Sequence, residues 1–167
     1  MVLMEFKIKN RHRLKSKNIR SLKKQIEEIY GTLFFDENSI VETGEFENIK
    51  FIFIDNVVCF FYQNNILFFT LKGVEKLKPK EKKVTVDMGA VKFVTSGADV
   101  MAPGITNADS DILEDMPVWI CDETHNKALA VGLSLMTGEE MIAQNKGKAI
   151  NVIHYVGDDI WNFVNQQ

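Results

Sequence analysis

The sequence predicts two small units in tandem. The first is an α+β N-terminal domain built on an antiparallel meander. The second is a mostly-β C-terminal domain with two short helices. Three observations predict this order. Apolar residues at 19, 22, 26 and 29 recur at helical spacing ahead of several short apolar runs between 32 and 71. A lysine-rich stretch at 72–83 then interrupts the apolar pattern. Beyond it, short β-type runs punctuated by Gly, Pro, Asn and Asp continue to residue 161, as in a small, partly open barrel.

In chain order, Phe6 and Ile8 alternate with Lys7 and Lys9, which predicts a first strand. Ile19, Leu22, Ile26 and Ile29 form the single apolar stripe of a helix over 17–30, and Gly31 ends it. The runs TLFF (32–35), SIVE (39–42), IKFIFI (49–54), VVCFFY (57–62) and ILFFTL (66–71) read as strands of a meander packed on that helix. Asp55-Asn56 and Asn64-Asn65 suit two-residue hairpin turns, because Asn and Asp tolerate positive φ. Nine of the twelve Phe fall between 34 and 69, and two uses are open for them. They can fill a core or, where exposed, stack nucleic-acid bases; the usual burial of Phe favours the core.

Residues 72–83 hold six Lys, two Glu and Pro79, and read as a solvated connector between domains at 1–78 and 79–167. Past it, Val84–Val86 predict a strand, and Asp87 an N-cap for a short helix whose apolar face is Ala90, Phe93 and Val94. Lys92 lies off that stripe, facing water. Gly97 is placed to end the helix in a left-handed conformation, and Val100–Ala102 run into a Pro103-Gly104 turn. MPVWICD (116–122) and ALAVGLSL (128–135) predict a hairpin, Thr137 starts a helix with acids in its first turn, and 150–155 and 160–163 predict closing strands.

Composition narrows the chemistry. With 46% apolar residues the chain can form a globular core, and no apolar run nears the ~20 residues of a membrane helix. The early charges argue against a secretory signal, and two isolated cysteines, Cys59 and Cys121, suit a reduced cytoplasmic setting. No phosphate-cradling glycine loop or serine nucleophile elbow is present, and His12, His125 and His154 are too scattered for a metal site. The segment Asn107–Asp111 resembles a calcium loop superficially, but Ile112 stands where the loop needs Gly and Val118 where it needs Glu. The sequence therefore calls for no cofactor, no metal and no catalytic residue.

Charge is segregated. Net charge is −3, yet residues 1–25 hold nine Lys/Arg against Glu5 alone. A local patch of this kind attracts polyanions whatever the total charge. Arg11, Arg13, Lys17, Arg20 and Lys24 form a candidate basic patch; the competing reading is an ordinary solvated face.

A longer pattern runs through the second half: Gly89-Ala90, Lys92, Ser96-Gly97-Ala98, Met101, Pro103-Gly104-Ile105, Ala128–Gly132, Lys146-Gly147, Asn151–Tyr155 and Asp159-Ile160-Trp161. Over about 80 residues this ordered series resembles a PUA domain, the RNA-binding module of pseudouridine synthases and archaeosine transglycosylases. The whole chain is most similar to archaeal PUA proteins of the malignant T-cell-amplified-sequence and ligatin group, which place a small domain ahead of the PUA domain. Relatives often carry a Pro-Thr-Leu segment before that domain; Thr70-Leu71 stands here, followed by the lysine-rich stretch.

The resemblance implies a pseudo-barrel whose RNA cleft lies between the first helix, the glycine loop with the second strand, and the last strands. Carried over by position, the cleft comprises Lys92, Ser96, Gly97, Ala98, Met101, Pro103 and Gly104, with Lys146, Lys148, His154 and Tyr155 on the far wall. Glycines let backbone N–H groups approach phosphates, the lysines are three of four after residue 83, and Tyr155 or Met101 would support an unstacked base. The implied function is non-catalytic RNA binding. The RNA is tRNA near its acceptor and CCA end, or rRNA, the setting is initiation or recycling on the small ribosomal subunit, and the implied partner besides RNA is that subunit or a translation factor, with no membrane. Two rivals are an accessory subunit presenting RNA to a separate modifying enzyme and a protein-interaction adaptor with a decayed cleft. The 12 acidic residues after position 83 favour the adaptor.

Overall fold

The computed structural model describes residues 6–32 and 34–167. Its first half is a five-stranded antiparallel sheet in sequential order: β1 (Lys9–Arg13), β2 (Val41–Phe46), β3 (Ile49–Ile54), β4 (Val57–Gln63) and β5 (Ile66–Phe69). Helix α1 (Ser16–Tyr30) lies on it through Leu22, Ile26 and Tyr30, and Gly31 closes the helix at φ 72°. Both expected hairpin turns form with positive φ at each central residue, and Glu47-Asn48 makes a third. The Phe rings fill the core: Phe51, Phe53, Phe60, Phe61, Phe68 and Phe69 are all buried.

Two expectations for this half need correction. The first strand pairs over Lys9–Arg13 rather than 6–9, and is exposed throughout. Phe6 instead meets Phe46 and Phe163 edge-on, at 5.3 and 6.0 Å between ring centroids, because an aromatic side chain gains more in that apolar corner than at a sheet edge. The strand expected at 32–35 is not found among its described residues: Thr32, Phe34 and Phe35 lie outside any strand, and Leu33 lies outside the described residues.

The lysine-rich stretch is not a loose connector. Leu71–Leu77 form helix α2, capped by Thr70, whose hydroxyl accepts from the Gly73 N–H at 2.9 Å and donates to the Val58 carbonyl at 2.6 Å. Leu71 and Val74 are buried on one face while Lys72, Glu75 and Lys76 point to water. A Cβ on Gly73 would overlap the Cys59 carbonyl oxygen, so only glycine lets α2 rest directly on β4. Even Lys82 is buried, its ammonium paired with Asp111.

The second half is a six-stranded sheet in the order β7-β11-β10-β9-β6-β8, wrapped into a nearly closed barrel. Its strands are β6 (Lys83–Val86), β7 (Val100–Met101), β8 (Ile105–Ala108), β9 (Pro117–Asp122), β10 (Ala128–Ser134) and β11 (Lys148–Tyr155). All neighbours are antiparallel except β6 and β9. Helix α3 (Met88–Val94) follows β6, and α4 (Gly138–Ala143) starts at Thr137 with Glu139 and Glu140 in its first turn, as expected. The segment 160–163 is not a strand but part of helix α5 (Asp159–Asn165). Its aromatic and β-branched residues favour strands locally. The Asp158 cap, accepting from the Trp161 N–H at 2.8 Å, and burial of Phe163 and Val164 override that preference.

The two halves share apolar interior. Trp119, Cys121, Val131, Phe163 and Val164 join the core of the first sheet, and Phe163 stacks parallel on Phe46 at 4.4 Å. A second core, around Val86, Ile120, Ala130 and Ile150, fills the barrel itself.

Candidate nucleic-acid groove

Helix α3 is fixed at both ends by its own sequence. The Asp87 carboxylate accepts from the Ala90 N–H at 2.8 Å. At the other end the Gly97 N–H donates to Val94 O at 3.1 Å and the Ala98 N–H to Phe93 O at 3.0 Å, the paired bonds of a Schellman closure. This closure needs Gly97 at φ 88°, and a Cβ there would lie 2.7 Å from the Tyr155 ring. The chain then returns through β7 into a 3₁₀ turn at Ala102–Gly104. Two backbone bonds hold that turn: Asp87 N–H to Gly104 O and Ala102 N–H to Gly147 O, both 2.9 Å.

Between α3 and this returning segment lies an open groove of about 720 Å³. Of the residues expected at the cleft, Ala98, Met101, Pro103, Gly104 and Lys148 line it. Lys92 is exposed on α3, outside the wall, with its ammonium 5.0 Å from the Phe93 ring centre. Ser96 donates its hydroxyl to Lys92 O at 2.6 Å, and Gly97 serves the turn. Lys146 is exposed in the segment leading to β11, away from the lining. Tyr155 is half-buried behind Gly97. His154 is no wall residue at all: it is buried, bonded to Asp158 and to the Leu71 N–H. The apolar position at the shared core claimed that side chain.

The groove contains groups the sequence reading did not assign to it. Phe93 is 57% exposed and Met101 46% exposed, so two large apolar surfaces stand open to solvent along it. Phe93 was expected on the buried face; in a helix of two turns that face centres on Ala90, Val91 and Val94, leaving Phe93 on its flank. Asp87 and Asp99 also line the groove. Asp99 accepts from the Val152 N–H at 3.0 Å and holds the Lys148 ammonium at 3.4 Å. The near-neighbour balance is therefore one cation against two carboxylates. The signal for Asp99 was its place between the helix stop and Val100, where any polar side chain meets β11.

The N-terminal basic patch divides. Arg11 is engaged, bonding Glu42 at 3.1 Å and Asn56 at 2.8 Å and lying 4.1 Å over the Phe53 ring. Arg13, Lys17, Arg20 and Lys24 are exposed. No group of His, Cys, Asp and Glu among the described residues suits a metal ion. In the calcium-like segment, Asp109 accepts from the Lys83 N–H at 3.0 Å and Asp111 pairs with Lys82. Both thiols are buried; burial pushes Cys59 up to about 12 and Cys121 up as well, so neither offers a thiolate. No helix among the described residues is long and apolar enough to cross a membrane.

Comparison with known proteins gives the chain its relatives. The PUA domain model matches residues 82–156, and the model of a domain of unknown function, DUF1947, matches 10–77. An uncharacterized protein of Methanocaldococcus jannaschii is 40% identical over 93% of this chain and 98% of its own length. Translation machinery-associated protein 20 of Saccharomyces cerevisiae is 37% identical over 90% of this chain and 86% of its own. Among solved structures, a hypothetical protein of Pyrococcus horikoshii superposes with a TM-score of 0.83 at 30% identity, covering 92% of this chain and 99% of that one.

Proposed function

This chain belongs to the family of PUA-domain proteins that includes translation machinery-associated protein 20 and malignant T-cell-amplified sequence 1, and we infer from this that it is an RNA-binding protein of the translation machinery. It binds RNA without modifying it. The ligand we propose is the single-stranded acceptor end of tRNA, taken up in the groove beside α3 during initiation or recycling on the small ribosomal subunit.

One observation carries this reading: exposed Phe93 and Met101 line a single open groove with Lys148. Proteins that read RNA ends splay out bases and stack them on such side chains. A lysine alongside meets a phosphate. The two carboxylates of the lining differ: Asp99 is engaged by Lys148 and the Val152 N–H, while Asp87 suits the same ligand, because a carboxylate accepts hydrogen bonds from exocyclic amino groups of the kind cytosine and adenine carry. A duplex backbone would meet only repulsion from them, so the groove favours unpaired bases.

The test is a binding titration of the full chain with labelled tRNA, with and without its terminal CCA. Phe93→Ala should weaken binding of intact tRNA roughly tenfold, the scale of one lost base stack, with thermal stability unchanged. Equal affinity for intact and truncated tRNA, or an unaffected Phe93→Ala variant, would reject the acceptor-end reading.

A further inference from the structure

A second groove lies where the two halves meet, between α2, α5 and the loop joining β9 to β10. It measures about 640 Å³. Lys72, Lys78 and Lys127 line it against Glu75, the single carboxylate of the lining among the described residues. Both tryptophans of the chain are in its wall. Trp119 is an anchored backing: it is buried, its indole N–H donates to Glu81 O at 3.0 Å, and the Lys83 ammonium lies 5.6 Å from its ring centre. Trp161 differs. It is half-exposed, and its ring has no aromatic or cationic partner among the described residues.

We propose that this interdomain groove is a second RNA-binding surface, in which Trp161 stacks a base and Lys72, Lys78 and Lys127 meet phosphates of the same RNA whose end enters the groove beside α3. The proposal rests on the RNA-binding reading and supplies what that first groove lacks. Lys148 stands there against Asp87 and Asp99, an arrangement that recognises bases but draws little on phosphate attraction. The interdomain groove has the opposite balance, three ammonium groups to one carboxylate. An aromatic face beside separated cations is the arrangement by which proteins hold single-stranded nucleic acid.

The topology links the two grooves. Strand β11 begins at Lys148, in the wall of the first, and Val156, in the wall of the second, follows its last residue. Eight residue steps of extended chain separate them by roughly 26 Å. No single nucleotide spans that distance, so the two grooves hold separate parts of one RNA, and a short oligonucleotide reaches only one.

The experiment follows two signals on the full-length chain. Fluorescein-labelled tRNA reports total binding by anisotropy; intrinsic tryptophan emission reports this groove alone, because both tryptophans line it. Emission should change in step with tRNA binding. The double variant Lys72→Glu, Lys127→Glu should weaken tRNA binding roughly tenfold and lower the salt slope by about two, one for each phosphate no longer neutralised. Trp161→Phe, which keeps an aromatic ring against the core, should lose most of the emission change while retaining the fold. If tRNA binds and emission stays constant, or the lysine variant binds with unchanged affinity and slope, the second surface is overturned and the first groove stands. If tRNA does not bind at all, both readings fall. If a polyglutamate peptide alters the emission and tRNA does not, the groove belongs to an acidic protein partner and the proposal is overturned.

Discussion

The backbone N–H of Leu71 donates to Nε2 of His154 at 3.1 Å, joining the first turn of α2 to the end of β11 across 83 residues. That bond fixes the tautomer. With Nε2 accepting, the proton sits on Nδ1, which donates to the Asp158 carboxylate at 2.9 Å. Asp158 in turn caps α5 and accepts from the Tyr155 N–H at 3.0 Å. One buried imidazole thereby ties α2, β11 and α5 together, with the Phe61 ring edge-on at 5.7 Å.

Replacing His154 by Ala should cost about 2–4 kcal/mol, from a cavity plus a Leu71 N–H left without an acceptor. For a chain of this size that corresponds to a fall in Tm of roughly 5–15 °C. His154→Gln, whose amide oxygen can accept in place of Nε2, should recover part of the loss. Thermal unfolding followed by circular dichroism measures both, and equal losses for the two variants would show that the hydrogen bond contributes nothing beyond packing.

Asp158 makes the same junction sensitive to acid. Burial alone would raise its carboxyl, but donation from His154 and from the Trp161 and Tyr155 N–H groups outweighs burial and holds it below the ordinary value of 3.8. A depressed folded value means that the stabilisation is fully present above pH 3.8 and is lost as pH falls through the folded value. Asp158→Asn keeps a capping side chain and removes the charge. The variant should start about 1.5–3 kcal/mol lower at neutral pH and lose less on acidification, so the two curves converge. Urea midpoints at a series of pH values check this; parallel curves would remove Asp158 from the account.

How much of this was legible in the sequence depends on how local the cause is. The Asp87 cap, the Gly97 closure, the Asn and Asp hairpin turns and the α1 stripe follow from a few adjacent residues, and they formed as read. The errors arise where a distant partner decides. Lysines at 72, 76 and 78 suggest a solvated connector, yet Leu71 before them and Gly73 and Val74 among them fit against β4. Residues 160–163 have strand propensity, but Phe163 is drawn into a helix by Phe46 and Phe51 of the other half. At the groove, Met101, Pro103, Gly104 and Lys148 came from family resemblance, while His154 was misplaced because its partner, Leu71, lies in the other half. Nothing local to Phe93 or Trp161 distinguishes an exposed ring from a buried one.

The closure at Gly97 gives a prediction about stability. Gly97→Ala places a Cβ in left-handed backbone, a cost of about 1–2 kcal/mol, and sets it 2.7 Å from the Tyr155 ring. Gly97→Asn tolerates the backbone better but meets the same ring, so it should fall between Ala and the parent chain. Chemical denaturation ranks the three; Asn matching Gly would mean that Tyr155 moves aside freely.

The most discriminating substitution is Asp99→Asn. It removes one of the two carboxylates lining the groove beside α3 and frees Lys148 from its 3.4 Å ion pair, which is mostly exposed and contributes little to stability. The amide oxygen of Asn can still accept from the Val152 N–H, so the strand link survives. If the groove receives RNA, two changes act in the same direction: less repulsion of phosphate and a lysine free to meet it. Affinity for tRNA should then rise, roughly threefold to tenfold at low salt, with the gain shrinking as salt is added. Lys148→Glu should act oppositely. Most substitutions at a binding site weaken binding for many reasons; one that strengthens it has few explanations, and a protein-docking groove that needs Asp99 would respond with a loss. Filter binding at two salt concentrations separates these outcomes, and weaker tRNA binding by Asp99→Asn would show that the groove beside α3 does not hold a phosphate at Lys148.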